Sequence, residues 1–334
     1  MFSYIIKRLF WAMPTLLGVS VLVFSMVHLA PGDPALVILG EHASKESVEA
    51  LREQMGLNRP LIEQYWLFIS NAVQGDLGMS VVSGDNVLDE FLQRFPATVE
   101  LSLVAMTFAI IVGLFAGILS AVKRYSIFDY TAMGTALAGV SMPVFWLGLM
   151  LIYFFSVKLG WLPVSGRLGY EFDIDHVTGF YLIDSFLAGD YEAFADAAKH
   201  LVLPAIALGT IPMAIIARMS RASMIEVLKE DYIRTAKAKG CSKKQVILVH
   251  ALKNALLPVL TVMGLMLGSL FAGAILTETT FSWPGIGKWL VNAVNQRDLP
   301  TIQSTTLIIS CIFVVINIVV DVLYAVVNPR IKLS

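Results

Sequence analysis

Six stretches of about twenty residues contain no Asp, Glu, Lys or Arg, and this spacing of charge limits what the chain can fold into. They are Leu9–Ala30, Leu101–Val122, Tyr130–Val157, His200–Ala217, Asn254–Thr277 and Leu299–Val320. A helix needs roughly 20 apolar residues to cross a hydrocarbon core about 30 Å thick. One charge at the bilayer centre costs about 2.5–3.5 kcal/mol on the insertion scale, so charged residues mark the ends of spans. Composition agrees: 57% of the 334 residues are apolar and 15% charged, against about 25% charged in a soluble domain. The chain therefore reads as an all-α, polytopic membrane protein with six transmembrane helices. Lys7-Arg8 before the first run resembles a signal peptide. The run is long, however, and no small-x-small site precedes Pro31, so an uncleaved span over 1–30 is expected.

The loops separate by sign. The N-terminus, the 123–129 turn, the 218–253 loop and the C-terminus together carry fifteen Lys/Arg against four acids, whereas the opposite loops carry nine against nineteen. The positive-inside rule makes the first set cytoplasmic, with both termini inside. The formal net charge of −1 excludes a uniformly basic nucleic-acid binder. Cys241 and Cys311 lie far apart and suggest neither a disulfide framework nor a zinc site.

Two outer segments are long enough to carry structure. Within 31–95, Ser44 is placed to cap a helix on which Val48, Leu51 and Met55 recur before Gly56, and Pro60 to start a second helix ending near Gly75. A third run, Asn86 to Phe95, leads through Pro96 into the second span. Segment 159–198 is acidic and reads as a solvated outer face. In the spans, Gly113-x-x-x-Gly117 and Gly264-x-x-x-Gly268 permit close helix approach, and Pro143, Pro204, Pro212 and Pro258 should kink or begin helices.

A proton- or sodium-driven transporter generally needs ionisable groups buried in the membrane and often shows internal repeats. Neither is evident: Glu100, Glu278 and Asp321 stand near span ends, where interfacial water is within reach. Gly285-Ile-Gly287-Lys288 lacks the spacing and hydroxyl residue of a phosphate loop, so the chain should not hydrolyse ATP. His28, His42, His176, His200 and His250 are scattered and read as interfacial or solvated rather than metal-ligating. No catalytic, cofactor or metal site is assigned.

The informative stretch is Glu230-Asp-Tyr-Ile-Arg-Thr-Ala-Lys-Ala-Lys-Gly240-Cys-Ser-Lys-Lys-Gln245. Helix-favouring residues run to Lys239, Gly240 is placed to end the helix in a left-handed cap, and Ser242 with Gln245 reads as a capping box opening the next. The outcome is a helix–turn–helix elbow whose surface should mix small residues (Thr235, Ala236, Ala238) with Arg234, Lys237 and Lys239, suited to close approach by another protein.

Asp231-Tyr-Ile-Arg-Thr-Ala-Lys-Ala-Lys-Gly240 followed by Asn254-Ala-Leu-Leu-Pro258 resembles the coupling loop of ABC importer permeases of the peptide and nickel family. Further matches are Pro31-Gly-Asp-Pro34, Gly75-Asp-Leu-Gly78, Phe281-Ser-Trp-Pro-Gly285 and Asn328-Pro329-Arg330. Pro163-Val-Ser-Gly-Arg167 with the acidic 168–198 insertion is most similar to the dipeptide subfamily. The general importer pattern Glu-Ala-Ala-x3-Gly falls on Arg234, Thr235, Ala236 and Gly240, where only the last Ala and the Gly match.

The resemblance implies a type I ABC importer permease fold: an N-terminal helix (1–30), an outer helical segment (31–95), a transmembrane core (96–328) and a cytoplasmic tail (329–334). It also implies an inner-membrane location and a path, shared with a second permease, for dipeptides or short oligopeptides delivered by a solute-binding protein. Nickel chelates, haem or glutathione are alternative cargoes. Two ATPase subunits would hold ATP and magnesium, none of it on this chain. They would engage Asp231, Arg234, Thr235, Ala236, Lys239, Gly240 and Ser242. The binding protein is expected to dock on the outer loops 31–95, 159–198 and 278–298, with Trp283 and Arg297 the first choices; alternatively Trp283 and Trp289 belong to the interfacial aromatic belt.

Overall fold

The computed structural model describes residues 2–29, 34–40, 43–54 and 56–327. Pro31-Gly-Asp, Met55, Asn328-Pro329-Arg330 and the 329–334 tail lie outside the described residues. Helices follow the apolar runs: α1 (Phe2–Leu29), α2 (Pro34–Leu39), α3 (Lys45–Gln54), α4 (Leu61–Val73), α5 (Val87–Val122), α6 (Ile127–Ser141) and α7 (Val144–Leu151, continued by a π-helical stretch, Ile152–Lys158). Then come α8 (Tyr181–Leu187), α9 (Tyr191–Val227), α10 (Asp231–Ala238), α11 (Lys243–Gln245), α12 (Leu252–Thr280), α13 (Ile286–Gln296) and α14 (Leu299–Val327). A π-helical turn, Val246–Ala251, joins α11 to α12. No strand occurs among the described residues beyond an isolated Met79–Asn86 bridge, so the all-α class holds.

The helix starts are set by local chemistry. Ser44 Oγ accepts from the Ser47 N–H at 3.1 Å, and Asn86 Oδ1 from the Leu88 N–H at 2.9 Å, each satisfying an orphan donor of a first turn. Pro60 opens α4, and Gly75 at φ +84° follows its end. The run expected at Asn86–Phe95 does not stop at Pro96: α5 continues through it as one helix.

Four described helices, α5, α9, the α11–α12 run and α14, are long and apolar enough to cross a membrane, and the α6–α7 pair would make a fifth if its two halves form one span. α1 contributes a shorter apolar stretch, Phe10–Met26. The fifth is bent by 109° rather than straight. Proline disfavours the α region for the residue before it, and Met142 before Pro143 is extended (φ −87°, ψ 134°). Pro204, Pro212 and Pro258, by contrast, sit inside continuous helices.

The described chain divides into two units, 1–95 with 288–318, and 96–287 with 319–334. In the first, the Gly75-Asp-Leu-Gly78 turn and the start of α14 are pinned together. Buried Asp298 accepts from Ser80 Oγ (2.5 Å), the Val81 N–H (3.2 Å) and Thr301 Oγ1 (2.8 Å), while Ser304 Oγ donates to the Leu77 carbonyl (2.6 Å). Arg94 lies over the Trp289 ring at 5.0 Å.

In the second unit α9 is central, with buried residues from Ala193 to Met224. It meets α5 backbone to backbone. A methyl group on Gly113 would stand 2.7 Å from the Met213 carbonyl oxygen, one on Gly117 2.5 Å from that of Ala217, and one on Gly209 2.6 Å from that of Ala105. Gly113 and Gly117 thus serve the close packing their spacing suggested. Gly264 likewise leaves room only for Val320.

Candidate functional site

α9 ends at Val227, and two turn residues later Glu230 opens α10. The C-terminus of α10 is a Schellman cap: the Gly240 N–H donates to the Lys237 carbonyl (3.0 Å) and the Cys241 N–H to that of Ala236 (3.2 Å), with Gly240 at φ +79°. Ser242 then caps the next helix. Its Oγ accepts from the Gln245 N–H (3.3 Å), and Gln245 Oε1 returns to the Ser242 N–H (3.0 Å). The elbow therefore follows from residues no more than five apart.

Its interior is apolar: Met224, Ile233, Ala236, Val246, Ala251 and Ala255, with Ala121 from α5, form one buried cluster. Ala236 is corrected by this arrangement. It was expected on the elbow's surface beside Thr235 and Ala238, but it is 7% exposed. Three residues after Ile233, it shares the inward face of α10, so its small size serves contact within the chain. The outward face carries Asp231, Arg234, Thr235, Lys237, Ala238 and Lys239, followed by exposed Gly240, Ser242, Lys243 and Lys244. Arg234 Nη1 reaches Asp231 Oδ1 at 3.2 Å, both well exposed, leaving a strongly basic outer face.

Three side-chain ties brace the elbow and the helix ends beside it, none of them visible in the sequence. Asn254 Nδ2 donates to the Tyr232 hydroxyl (2.7 Å), joining the two stretches that carried the resemblance. Ser223 Oγ donates to the Ala255 carbonyl (2.9 Å), linking α9 to α12. Arg221 holds Asp129 with two bonds, Nε to Oδ1 (2.7 Å) and Nη2 to Oδ2 (2.8 Å). The Tyr125 N–H donates to the same carboxylate (3.0 Å). Two loops assigned to one side by charge are thus in contact.

The other end of this unit holds a buried polar knot that sequence reasoning missed. Glu100 and Glu278 do not reach water: they are 5% and 0% exposed. Arg167 Nη2 donates to Glu100 Oε2 (2.5 Å) and to the Gly179 carbonyl (2.9 Å), and the Leu182 N–H donates to Glu100 Oε1 (3.0 Å). The Arg167 guanidinium also lies 3.9 Å from the Tyr181 ring centre. Thr98 Oγ1 donates to Glu278 Oε1 (2.6 Å) and accepts from the Ile286 N–H (2.9 Å). A methyl group on Gly285 would run into both Glu278 and Thr98, which gives the glycine in Phe281-Ser-Trp-Pro-Gly285 its reason. The side chain of Asp321 lies outside the described residues.

Trp283 is the second correction. Neither a docking face nor an aromatic belt describes it: it is 0% exposed, with Nε1 donating to the Ala97 carbonyl at 2.8 Å. The turn after α12, with Ser282 at φ +51° and the Trp283 N–H returned to the Glu278 carbonyl (2.8 Å), directs the indole inward. Arg297 is exposed, at φ +57°, immediately before Asp298.

Comparison with known proteins adds the following. Residues 109–333 match the model of the family "Binding-protein-dependent transport system inner membrane component", and residues 1–102 match the model of its N-terminal part. The Di/tripeptide transport system permease protein DppB of Pseudomonas aeruginosa (strain UCBPP-PA14) is 53% identical over 99% of both chains. The Dipeptide transport system permease protein DppB of Alkalihalophilus pseudofirmus is 52% identical over 99% of this chain and 100% of its own. Among solved structures, the MetNI methionine ABC transporter in an inward-facing conformation matches at 18% identity and a TM-score of 0.49, covering 70% of this chain and 93% of its own.

Proposed function

We propose that this chain, which belongs to the binding-protein-dependent transport system inner membrane component family, is one of two permease subunits of an ATP-driven importer of dipeptides or short oligopeptides. The observation that carries the reading is identity above 50%, end to end, to permeases named for dipeptide transport. A solute-binding protein delivers the peptide to the outer loops, where Arg297 is an exposed candidate contact. Two ATPase subunits, which hold ATP and magnesium, engage the elbow from the cytoplasm. Both termini are cytoplasmic, on the strength of the charge division between the loops.

The elbow's construction supports a coupling role without chemistry of its own. The outward residues Asp231, Arg234, Thr235, Lys239, Gly240 and Ser242 present charge and exposed backbone to a partner. Ala236 and Ile233 fix α10 to α9 and α12 behind them. Closure of the ATPases on ATP would then shift a bistable membrane core between outward and inward access.

The test is uptake of a labelled dipeptide into proteoliposomes holding both permeases and both ATPases. Uptake should require external binding protein and internal ATP, and unlabelled α-linked di- and tripeptides should compete where γ-linked glutathione, haem and nickel chelates do not. Uptake blocked by one of those other cargoes but not by peptides would overturn the cargo. ATP-independent uptake would overturn the mechanism.

A further inference from the structure

In the unit formed by 1–95 and 288–318, α4 lies against α1 and leaves an apolar stripe uncovered. The contact uses one turn of α4 and two turns of α1. Gln64 Oε1 meets His28 Nε2 at 2.9 Å, the Tyr65 hydroxyl meets Ser20 Oγ at 2.8 Å, and the Phe24 ring lies 5.4 Å from Tyr65 and 6.1 Å from Phe68. Among the described residues, the hydrogen bonds and ring contacts of α4 with α1 are confined to Gln64, Tyr65 and Phe68. Ile62, Trp66, Ile69 and Val73, spaced by four, three and four residues, form a neighbouring face; Ile62, Trp66 and Val73 are 82%, 71% and 83% exposed. Glu63, Leu67, Ser70 and Asn71 fall on the remaining arc.

We propose that α4 is an interfacial helix, embedded at the headgroup–acyl boundary of the leaflet at the Leu29 end of α1, with Ile62, Trp66, Ile69 and Val73 in lipid. The inference goes beyond the transport reading and rests on α1 crossing the bilayer. Depth favours lipid as the occupant. The contact centres on Phe24, five residues or about 8 Å along the axis from Leu29, and interfacial helices bury their apolar face about 5–10 Å into that boundary. At the same height α1 itself exposes Leu22 (67%) and Met26 (57%), so the two apolar surfaces belong to one lipid-facing belt. With 13 residues, about 20 Å of helix, α4 is too short to span the membrane. Trp66 suits the interface, where an indole has both apolar and polar neighbours.

The test uses the full importer in lipid nanodiscs, in a background with Cys241→Ser and Cys311→Ser, carrying one nitroxide at a time on Ile62→Cys, Trp66→Cys or Val73→Cys, and for the other arc on Glu63→Cys or Asn71→Cys. Collision with oxygen should exceed collision with water-soluble chromium oxalate several-fold at the first three positions, and the order should reverse at the last two. Chromium oxalate dominating at all five would overturn the proposal in favour of a water-exposed surface. Protection of the stripe from both reagents would overturn it in favour of a protein partner, whether the second permease or the binding protein.

Discussion

The elbow at 223–255 and the knot around Glu100, Arg167 and Glu278 belong to the same helical unit, yet they are held by opposite means. The elbow's turns close within a few residues: a Schellman cap at Gly240, a capping box at Ser242 and an exposed Asp231–Arg234 pair three residues apart. The knot closes over distance, with Glu100 and Arg167 separated by 67 residues and Thr98 and Glu278 by 180. The elbow leaves its charges in water, and the knot removes them from it. An element that must receive a partner keeps its charges available and takes rigidity from local backbone geometry. An element that only has to stay closed can bury charge where opposite charges and hydrogen-bond partners meet it.

Three substitutions would break or sharpen that contrast. The largest effect is expected in the knot: Arg167→Met leaves Glu100 buried without its partner, and removing one member of a buried pair costs about 3–5 kcal/mol. The thermal midpoint of the assembled importer should fall markedly, and the Glu100→Gln/Arg167→Met double variant should recover most of the loss. A double variant as unstable as the single would show that the pair is not what holds the knot. Gly240→Val comes next. Nothing lies within 4 Å of an added Cβ there, so the whole cost is the positive φ, about 1–3 kcal/mol for a residue held in a sparsely populated region. Gly240→Asn should cost less, because Asn tolerates that region. Hydrogen exchange over 231–245 would report the local loss, and ATPase stimulation by loaded binding protein should fall with it. The smallest effect belongs to Asp231→Asn. With Asp231 93% and Arg234 75% exposed, the midpoint should not move measurably, since exposed pairs contribute little. A clear shift would mean that the elbow, like the knot, depends on its charges.

The same contrast explains what was legible in the sequence. Charge is costly in hydrocarbon, so hydropathy located the four long apolar helices and the bent α6–α7 pair, while the first of the six expected runs is a shorter apolar stretch. Caps depend on residues three to five apart, so Gly240, Ser242 and Ser44 were readable. Ala236 was read as surface because small residues serve both partners and interiors, and only its register with Ile233 decides between the two. Trp283 was read as exposed because an aromatic in an outer loop resembles a docking residue until Ala97, 186 positions earlier, is found beside it. Glu100 and Glu278 appeared wet because proximity to a span end says nothing about which loop folds over that end.

Gly113, Gly117 and Gly209 bear on stiffness. Where side chains separate two helices, rotamer changes absorb small relative movements; where main chain rests on main chain, there is no such compliance. α5 and α9 are therefore expected to move as one body where they touch. One end of it is Ala121 and Met224 in the elbow's core, and towards the other end α5 carries Thr98 and Glu100 of the knot. A displacement applied to α10 would reach the knot as rigid-body tilt rather than being lost in local repacking. The lever arm, the axial distance from Ala121 to Thr98, is 23 residues or about 35 Å at the α-helical rise.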